Sequence, residues 1–145
     1  MKTTANSYPL LLRRALLGNA SFSAASGLVL LLAPATVGTW LDFEAPLFFR
    51  ILGVGLLLFA AELVFQATRK TPNRPRGWIA SVADFSWVLV SGALLAVFPG
   101  ALSTSGWAIV LGVAAVVLVF GCAQAFALRR LDRPGRDSEN VSRMN

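Results

Sequence analysis

Two acidic residues lie inside segments that are otherwise apolar, and they are the first candidates for chemistry in this chain. Glu62 falls within residues 47–67 and Asp84 within residues 78–98. If these segments cross a bilayer, each carboxylate costs about 2.5–3.5 kcal/mol on insertion scales, so an acid in such a place predicts a functional site. Two acids at one level could share a proton, bind a cation or hydrogen-bond a lipophilic ligand.

Neutral polar residues accompany the two acids at helical spacing. Asn19 and Ser23 are four residues apart, and Asp84 and Ser91 are seven apart, so each pair shares one helix face. Since lipid cannot satisfy a polar stripe, such faces turn toward the interior of a helix bundle. The pattern predicts a polar pocket that opens toward the cytoplasm and binds a ligand. Its predicted lining residues are Asp84, Glu62, Asn19, Ser23, Ser91, Trp87 and Gln124.

Both acids also have a structural interpretation, which the sequence leaves open. Glu62 could extend its carboxylate to the inner membrane surface near Arg69. Asp84 could instead hold helices together through a bond to Asn19 or Trp87.

The residue types present in the chain exclude most enzyme classes. The chain has no histidine and one cysteine, Cys122. Zinc sites built from Cys and His, haem ligation by histidine, and Ser-His-Asp or Cys-His catalysis are therefore excluded. The sequence predicts no cofactor and no metal site, and it favours a protein that is not an enzyme. Acid–base chemistry on a lipid or quinone by carboxylates alone stays open.

Four apolar stretches must position these residues. They lie near residues 15–32, 47–67, 78–98 and 107–128, each close to the ~20 residues that a spanning helix requires. Hydrophobic residues make up 56% of the chain and charged residues 14%. We therefore expect an all-α, polytopic membrane protein, with a four-helix transmembrane domain over residues 1–131. Residues 132–145 are predicted to be a disordered cytoplasmic tail.

The basic residues predict the orientation of these helices. Twelve of the thirteen Lys and Arg residues lie in the N-terminal arm, the link between the second and third stretches, or the tail. The positive-inside rule then places both termini in the cytoplasm, in a cell inner (plasma) membrane. The exception, Arg50, is expected to extend outward or to pair with Asp42 or Glu44. The net charge of +6 indicates attraction to anionic lipid rather than to nucleic acid.

A cleaved signal peptide is an alternative interpretation of the first stretch. Arg13-Arg14, an apolar run and Ala33-Pro34-Ala35 imitate such a signal. The run is about 18 residues, longer than the usual ~7–15, which favours a retained helix.

The third stretch also repeats the first. An offset of 65 residues aligns Gly27 with Gly92 and Asn19 with Asp84 without a gap. If this match is not chance, the bundle consists of two duplicated helical hairpins related by an axis along the membrane normal.

Two short motifs resemble a known pattern. Residues 50–56 (RILGVGL) and 83–91 (ADFSWVLVS) resemble small bacterial four-helix membrane proteins that are loosely DoxX-like. The resemblance implies a bacterial inner membrane, and some DoxX-like members are associated with quinone-linked redox systems. It carries no catalytic residue to this chain.

The leading hypothesis is a protein that binds or moves a small lipophilic or cationic ligand through the polar pocket, in contact with membrane lipid. The alternative is a non-catalytic subunit or interaction partner of a larger, redox-linked membrane complex. A homodimer is compatible with either hypothesis.

Overall fold

The computed structural model describes residues 7–69 and 74–131. Five helices follow one another along the chain, and no strand occurs within these two ranges. The helices are α1 (Ser7–Leu32), α2 (Pro34–Leu41), α3 (Pro46–Thr68), α4 (Arg74–Val97) and α5 (Thr104–Leu131). The predicted tail, residues 132–145, lies outside the described residues.

Four of these helices are long and apolar enough to cross a membrane, as predicted. The spanning segments are Leu10–Leu32, Pro46–Thr68, Arg74–Val97 and Thr104–Arg130. Large apolar side chains cover their outward faces, and Leu89, for example, is 73% exposed. Such a surface is stable in lipid and would aggregate in water. The chain is a multi-pass membrane protein with an all-α four-helix bundle.

Two helix starts differ from the sequence prediction. α1 begins at Ser7 rather than near residue 15, and α4 begins at Arg74 rather than near residue 78. The predicted starts were placed at the first residue of each apolar run, after the charged residues that precede it. Arginine is a good helix former, however, and Arg13 and Arg14 continue α1 while their side chains stay exposed.

The short helix α2 replaces a predicted link. Pro34 stands in its first turn, where a missing N–H group costs nothing, and Asp42 ends it in the left-handed conformation with a φ of 56°. The start of α5 packs against this helix. The hydroxyl groups of Ser103 and Ser105 both donate to the Trp40 carbonyl oxygen, at 3.3 and 3.2 Å.

The bundle has two distinct ends. We call the end with Arg69 and Arg129 the basic end and the end with Asp42 and Glu44 the acidic end. Arg50 is exposed near the acidic end, and within the described residues no ion pair joins it to Asp42 or Glu44. Of the two predicted arrangements of Arg50, pairing with an acid is therefore wrong, and outward extension stays a prediction.

The four long helices pack unequally. α1 and α5 pack against each other, with α3 against α1 and α4 against α5, whereas α3 and α4 touch at few points. We call the line between α3 and α4 the seam. Near the basic end an apolar cluster joins all four long helices. It consists of Leu12, Leu16, Ala20, Leu63, Ala67, Ala80, Ala127 and Leu128.

The predicted hairpins are present, but their packing is not two-fold symmetric. An axis exchanging α1/α3 with α4/α5 would make the α1–α5 and α4–α3 contacts equivalent, and only the first pair packs closely. The duplication itself stays a prediction. Retention of α1 stays a prediction, and in the structure α1 packs against both α3 and α5.

Candidate functional site

A buried carboxylate joins three helices at the centre of the molecule. Asn19 on α1 donates from Nδ2 to Asp84 Oδ2 at 2.7 Å, and Gln124 on α5 donates from Nε2 to the same oxygen at 3.0 Å. Ser23 donates to Asn19 Oδ1 at 3.3 Å. We call these four residues the Asp84 cluster. Asn19 and Gln124 are 0% exposed and Asp84 is 3% exposed, so lipid and water reach little of the cluster.

The helix sequences bring these groups to one level. Asn19 lies five residues from Arg14, and Gln124 five residues from Arg129, which is about 8 Å along each helix axis. A Cβ atom on Gly121 would stand only 3.2 Å from Asp84 Cβ, so glycine allows α5 to approach α4 there. Gln124 is three residues beyond this crossing and shares its face. The rise per residue predicts that Asn19, Glu62, Asp84 and Gln124 lie at nearly one level. These hydrogen bonds confirm the prediction for Asn19, Asp84 and Gln124, and Glu62 takes no part in them.

Beside the cluster lies a cavity of about 160 Å³ with mostly apolar walls. All four long helices contribute to it. Its lining residues are Phe22, Ser23, Ser26, Leu56, Phe59, Ala83, Asp84, Trp87, Val113 and Val117. Asp84 is the only charged residue among them. α3 and α4 both contribute lining residues but touch each other at few points. The seam therefore runs along the side of the cavity where these two helices meet.

The side chains of the Asp84 cluster have more acceptor atoms than donor atoms. Asp84 Oδ2 receives two amide N–H groups, whereas Asp84 Oδ1 accepts no hydrogen bond from the described residues. Gln124 Oε1 is buried and also has no donor in that part of the chain. Turning the Gln124 amide over would set its oxygen against the carboxylate, so the present orientation is the favourable one. The carboxylate therefore retains an uncommitted oxygen in a residue that lines the cavity.

Glu62 occupies a different environment, and the predicted pairing of the two acids is wrong. Its Oε1 atom accepts from Arg76 Nη1 at 3.1 Å and from Gln66 Nε2 at 3.2 Å. The Glu62 side chain is 45% exposed, and no hydrogen bond joins it to Asp84. The Arg76 guanidinium also lies 5.6 Å from the centre of the Phe65 ring. Glu62 thus ties α3 to α4 at the basic end and does not line the cavity.

The opening of the pocket toward the cytoplasm stays a prediction, and the packing at the basic end does not favour it. Every cavity residue outside the Asp84 cluster lies further along its helix from the basic end than the apolar cluster does. Leu63 and Leu128 in that apolar cluster are both 0% exposed, so packed side chains separate the cavity from this end. The difference arises because small and apolar residues share the inner faces with the polar ones, and depth alone does not reveal which of them pack together.

The remaining predicted site residues divide between the cavity and its surroundings. Ser23 and Trp87 line the cavity, whereas Asn19 and Gln124 hold Asp84 from behind, and Ser91 is buried outside the lining. Binding of a ligand by any of these residues stays a prediction.

The sequence prediction missed the apolar wall of the cavity. Phe22 and Ser26 are four residues apart on α1, as are Val113 and Val117 on α5. This spacing places each pair on one helix face. The same spacing is typical of lipid-facing residues, so only the arrangement of the helices distinguishes a cavity wall from an outer surface.

No metal-ligand group appears in the described ranges, since no three His, Cys, Asp or Glu side chains come together there. Comparison of the chain with protein-family models, curated proteins and solved structures finds no match. The DoxX-like resemblance stays a prediction. The geometry alone therefore describes the class of protein: a multi-pass membrane protein with a buried acid at the edge of an apolar cavity.

Proposed function

We propose that this chain is a membrane protein that binds a small lipophilic or cationic ligand in the cavity beside Asp84. One observation carries the proposal, the uncommitted Oδ1 oxygen of a carboxylate that lines a mostly apolar cavity. Ligand sites in proteins are typically concave and apolar, with a few polar groups that orient the ligand.

The cost of the carboxylate supports this interpretation. An acid held inside a bilayer costs about 2.5–3.5 kcal/mol, and that cost marks a functional site by default. Hydrogen bonds from Asn19 and Gln124 offset part of it and hold the carboxylate in one orientation. Both hydrogen bonds go to Oδ2, so the carboxylate can join the helices and still offer its other oxygen to a ligand.

The packing favours access from the lipid. The apolar cluster separates the cavity from the basic end, whereas the seam between α3 and α4 borders the cavity. A ligand dissolved in the bilayer would pass between these helices without crossing a polar surface. The positive-inside distribution and the DoxX-like resemblance add a bacterial inner membrane with cytoplasmic termini to the proposal.

A matched pair of variants tests the cavity. The probes are benzyl alcohol and benzylammonium, and binding is followed by the fluorescence of Trp87 in a protein whose Trp40, Trp78 and Trp107 are replaced by phenylalanine. Ser26 lines the cavity, while Ser21 on the same helix is exposed outside it. We expect Ser26→Leu to weaken binding by about tenfold or more because the added side chain fills the cavity.

Ser21→Leu introduces the same change on the lipid-facing side and should leave binding unaltered. The proposal is contradicted if neither probe binds the unmodified cavity, or if Ser26→Leu and Ser21→Leu bind both probes equally well.

A subunit of a larger membrane complex is the second candidate function. Gly55, Gly92 and Gly112 are exposed, and a Cβ atom on any of them would meet nothing within 4 Å. Small residues on an outward face allow a neighbouring helix to approach closely in a membrane. Extraction in a mild detergent tests this candidate, because a subunit should elute together with its partner. Elution of the chain by itself at the size of one copy would contradict it.

A further inference from the structure

We propose that the cavity selects apolar ammonium compounds of about the size of one aromatic ring, with at least one N–H group on the nitrogen. The inference rests on the proposed function and names the chemical class of its ligand. Three features of the site carry it: the charge around Asp84, the balance of donors and acceptors, and the aromatic wall.

The charge at the site is unbalanced. Both partners of Asp84 are neutral amides, and no Lys or Arg of the described residues forms an ion pair with it. Glu62, by contrast, already has the Arg76 guanidinium as its partner. In a medium of low dielectric constant an opposite charge close to a carboxylate is strongly attracted, and more so than in water. A cationic ligand would supply the charge that the protein does not.

The balance of hydrogen-bond donors and acceptors at Asp84 further restricts the class of ligand. When Asp84 is ionised, its Oδ1 atom can only accept, so a ligand carbonyl or carboxylate beside it would set two acceptors against each other. This disfavours quinones and organic acids at that oxygen. A hydroxyl group can donate one hydrogen bond, but a charged N–H group forms a hydrogen bond that is roughly twice as strong. A quaternary ammonium group has the charge without the N–H and should bind less well.

The walls suit the remainder of such a ligand. Phe22, Phe59 and Trp87 contribute aromatic rings, whose faces attract cations as well as apolar groups. The volume of about 160 Å³ is similar to that of an engineered cavity of about 150 Å³ that binds benzene in another protein. Benzylammonium therefore combines the right size, charge and donor.

The experiment measures binding of three probes to the full chain in detergent at pH 7. Benzylammonium, benzyltrimethylammonium and benzyl alcohol are equilibrated by dialysis against the protein and against protein-free micelles. We expect benzylammonium to bind about tenfold or more tightly than either of the others, since one additional charge-assisted hydrogen bond contributes on this scale. Asp84→Asn should abolish the preference.

Asp42→Asn is the matched control for the charge change. Asp42 is exposed at the acidic end, and its left-handed conformation is one that asparagine adopts readily. This variant should keep the full preference for benzylammonium. If Asp84→Asn does not fold, the comparison of the three probes on the natural sequence still decides the matter.

Two outcomes separate this inference from the proposed function. Equal binding of benzylammonium and either other probe, or an unchanged preference in Asp84→Asn, would overturn the ammonium selectivity while leaving a lipophilic ligand site in place. Failure of all three probes to bind would overturn both.

Discussion

The two helical hairpins of this protein contain similar sequences and pack differently. In the first hairpin, α1 and α3 cross closely at two glycines. A Cβ atom on Gly27 would stand 2.9 Å from the Gly53 carbonyl oxygen, and one on Gly53 would stand 2.7 Å from the Gly27 carbonyl oxygen. In the second hairpin, Gly92 aligns with Gly27, and Gly112 stands between a leucine and a valine as Gly53 does. A Cβ atom on either would meet nothing within 4 Å. Similar glycines thus permit a helix crossing in one hairpin and face outward in the other.

The second hairpin uses different glycines nearer the basic end. A Cβ atom on Gly77 would lie 2.9 Å from Leu128 Cδ2, and one on Gly121 would lie 3.2 Å from Asp84 Cβ. The close glycine contacts of the first hairpin therefore lie toward the acidic end, and those of the second lie between the buried acid and the basic end. This difference shows that a repeated residue acquires its role from the helix opposite it. Three changes test the comparison, from the largest expected effect to the smallest.

The aligned pair Asn19 and Asp84 gives the largest expected effect. Asn19→Asp would give both hairpins an acid at this level, within the 2.7 Å that now separates an amide donor from a carboxylate oxygen. We expect a loss of about 3–5 kcal/mol in the free energy of unfolding, the scale of an uncompensated buried charge. Chemical denaturation in detergent micelles measures it.

The double exchange Asn19→Asp with Asp84→Asn is the control. It restores one amide and one carboxylate, so most of the lost stability should return. Stability of Asn19→Asp equal to that of the natural sequence would show that the two carboxyl groups share a proton and still join α1 to α4.

The difference in helix packing around Gly53 and Gly112 predicts an intermediate effect on stability. Gly53→Ala should destabilise the protein by about 1–3 kcal/mol, because its methyl group would overlap backbone atoms that cannot move independently. Gly112→Ala makes the same change where no atom is near, and a higher helix propensity should stabilise it by up to about 1 kcal/mol. Melting temperatures of the two variants in one detergent compare the hairpins directly. Equal destabilisation would mean that both hairpins pack closely at their glycines.

The ion pair across the seam gives the smallest effect. Glu62 and Arg76 join α3 to α4 with side chains that are 45% and 43% exposed. Replacing Glu62 by glutamine should cost less than about 1 kcal/mol, because solvent screens a half-exposed pair. The cost should shrink further as salt is added. A loss as large as that for Asn19→Asp would mean that the seam depends on this pair.

Sequence reasoning located most of the polar site. It placed Asn19, Asp84 and Gln124 at one level and allowed a bond between Asn19 and Asp84, and both expectations hold. It allowed Glu62 to reach toward Arg69 at the end of its own helix, whereas Glu62 pairs with Arg76 on α4. The cavity beside Asp84 was not predictable, because its walls consist of residues such as Val113 and Leu56 that are indistinguishable from lipid-facing ones in sequence.

The sequence by itself determined the number of helices long and apolar enough to span a membrane, the two unlike ends and the position of each polar side chain along its helix. These follow from local quantities: the length of an apolar run, the placement of charges and the rise of a helix. Only the tertiary structure decided that α3 and α4 leave a seam and that no hydrogen bond joins Glu62 to Asp84. It also decided that one oxygen of Asp84 has no partner among the described residues. Those features depend on which helix faces meet, and in lipid many apolar faces are equally suited to meeting a neighbour.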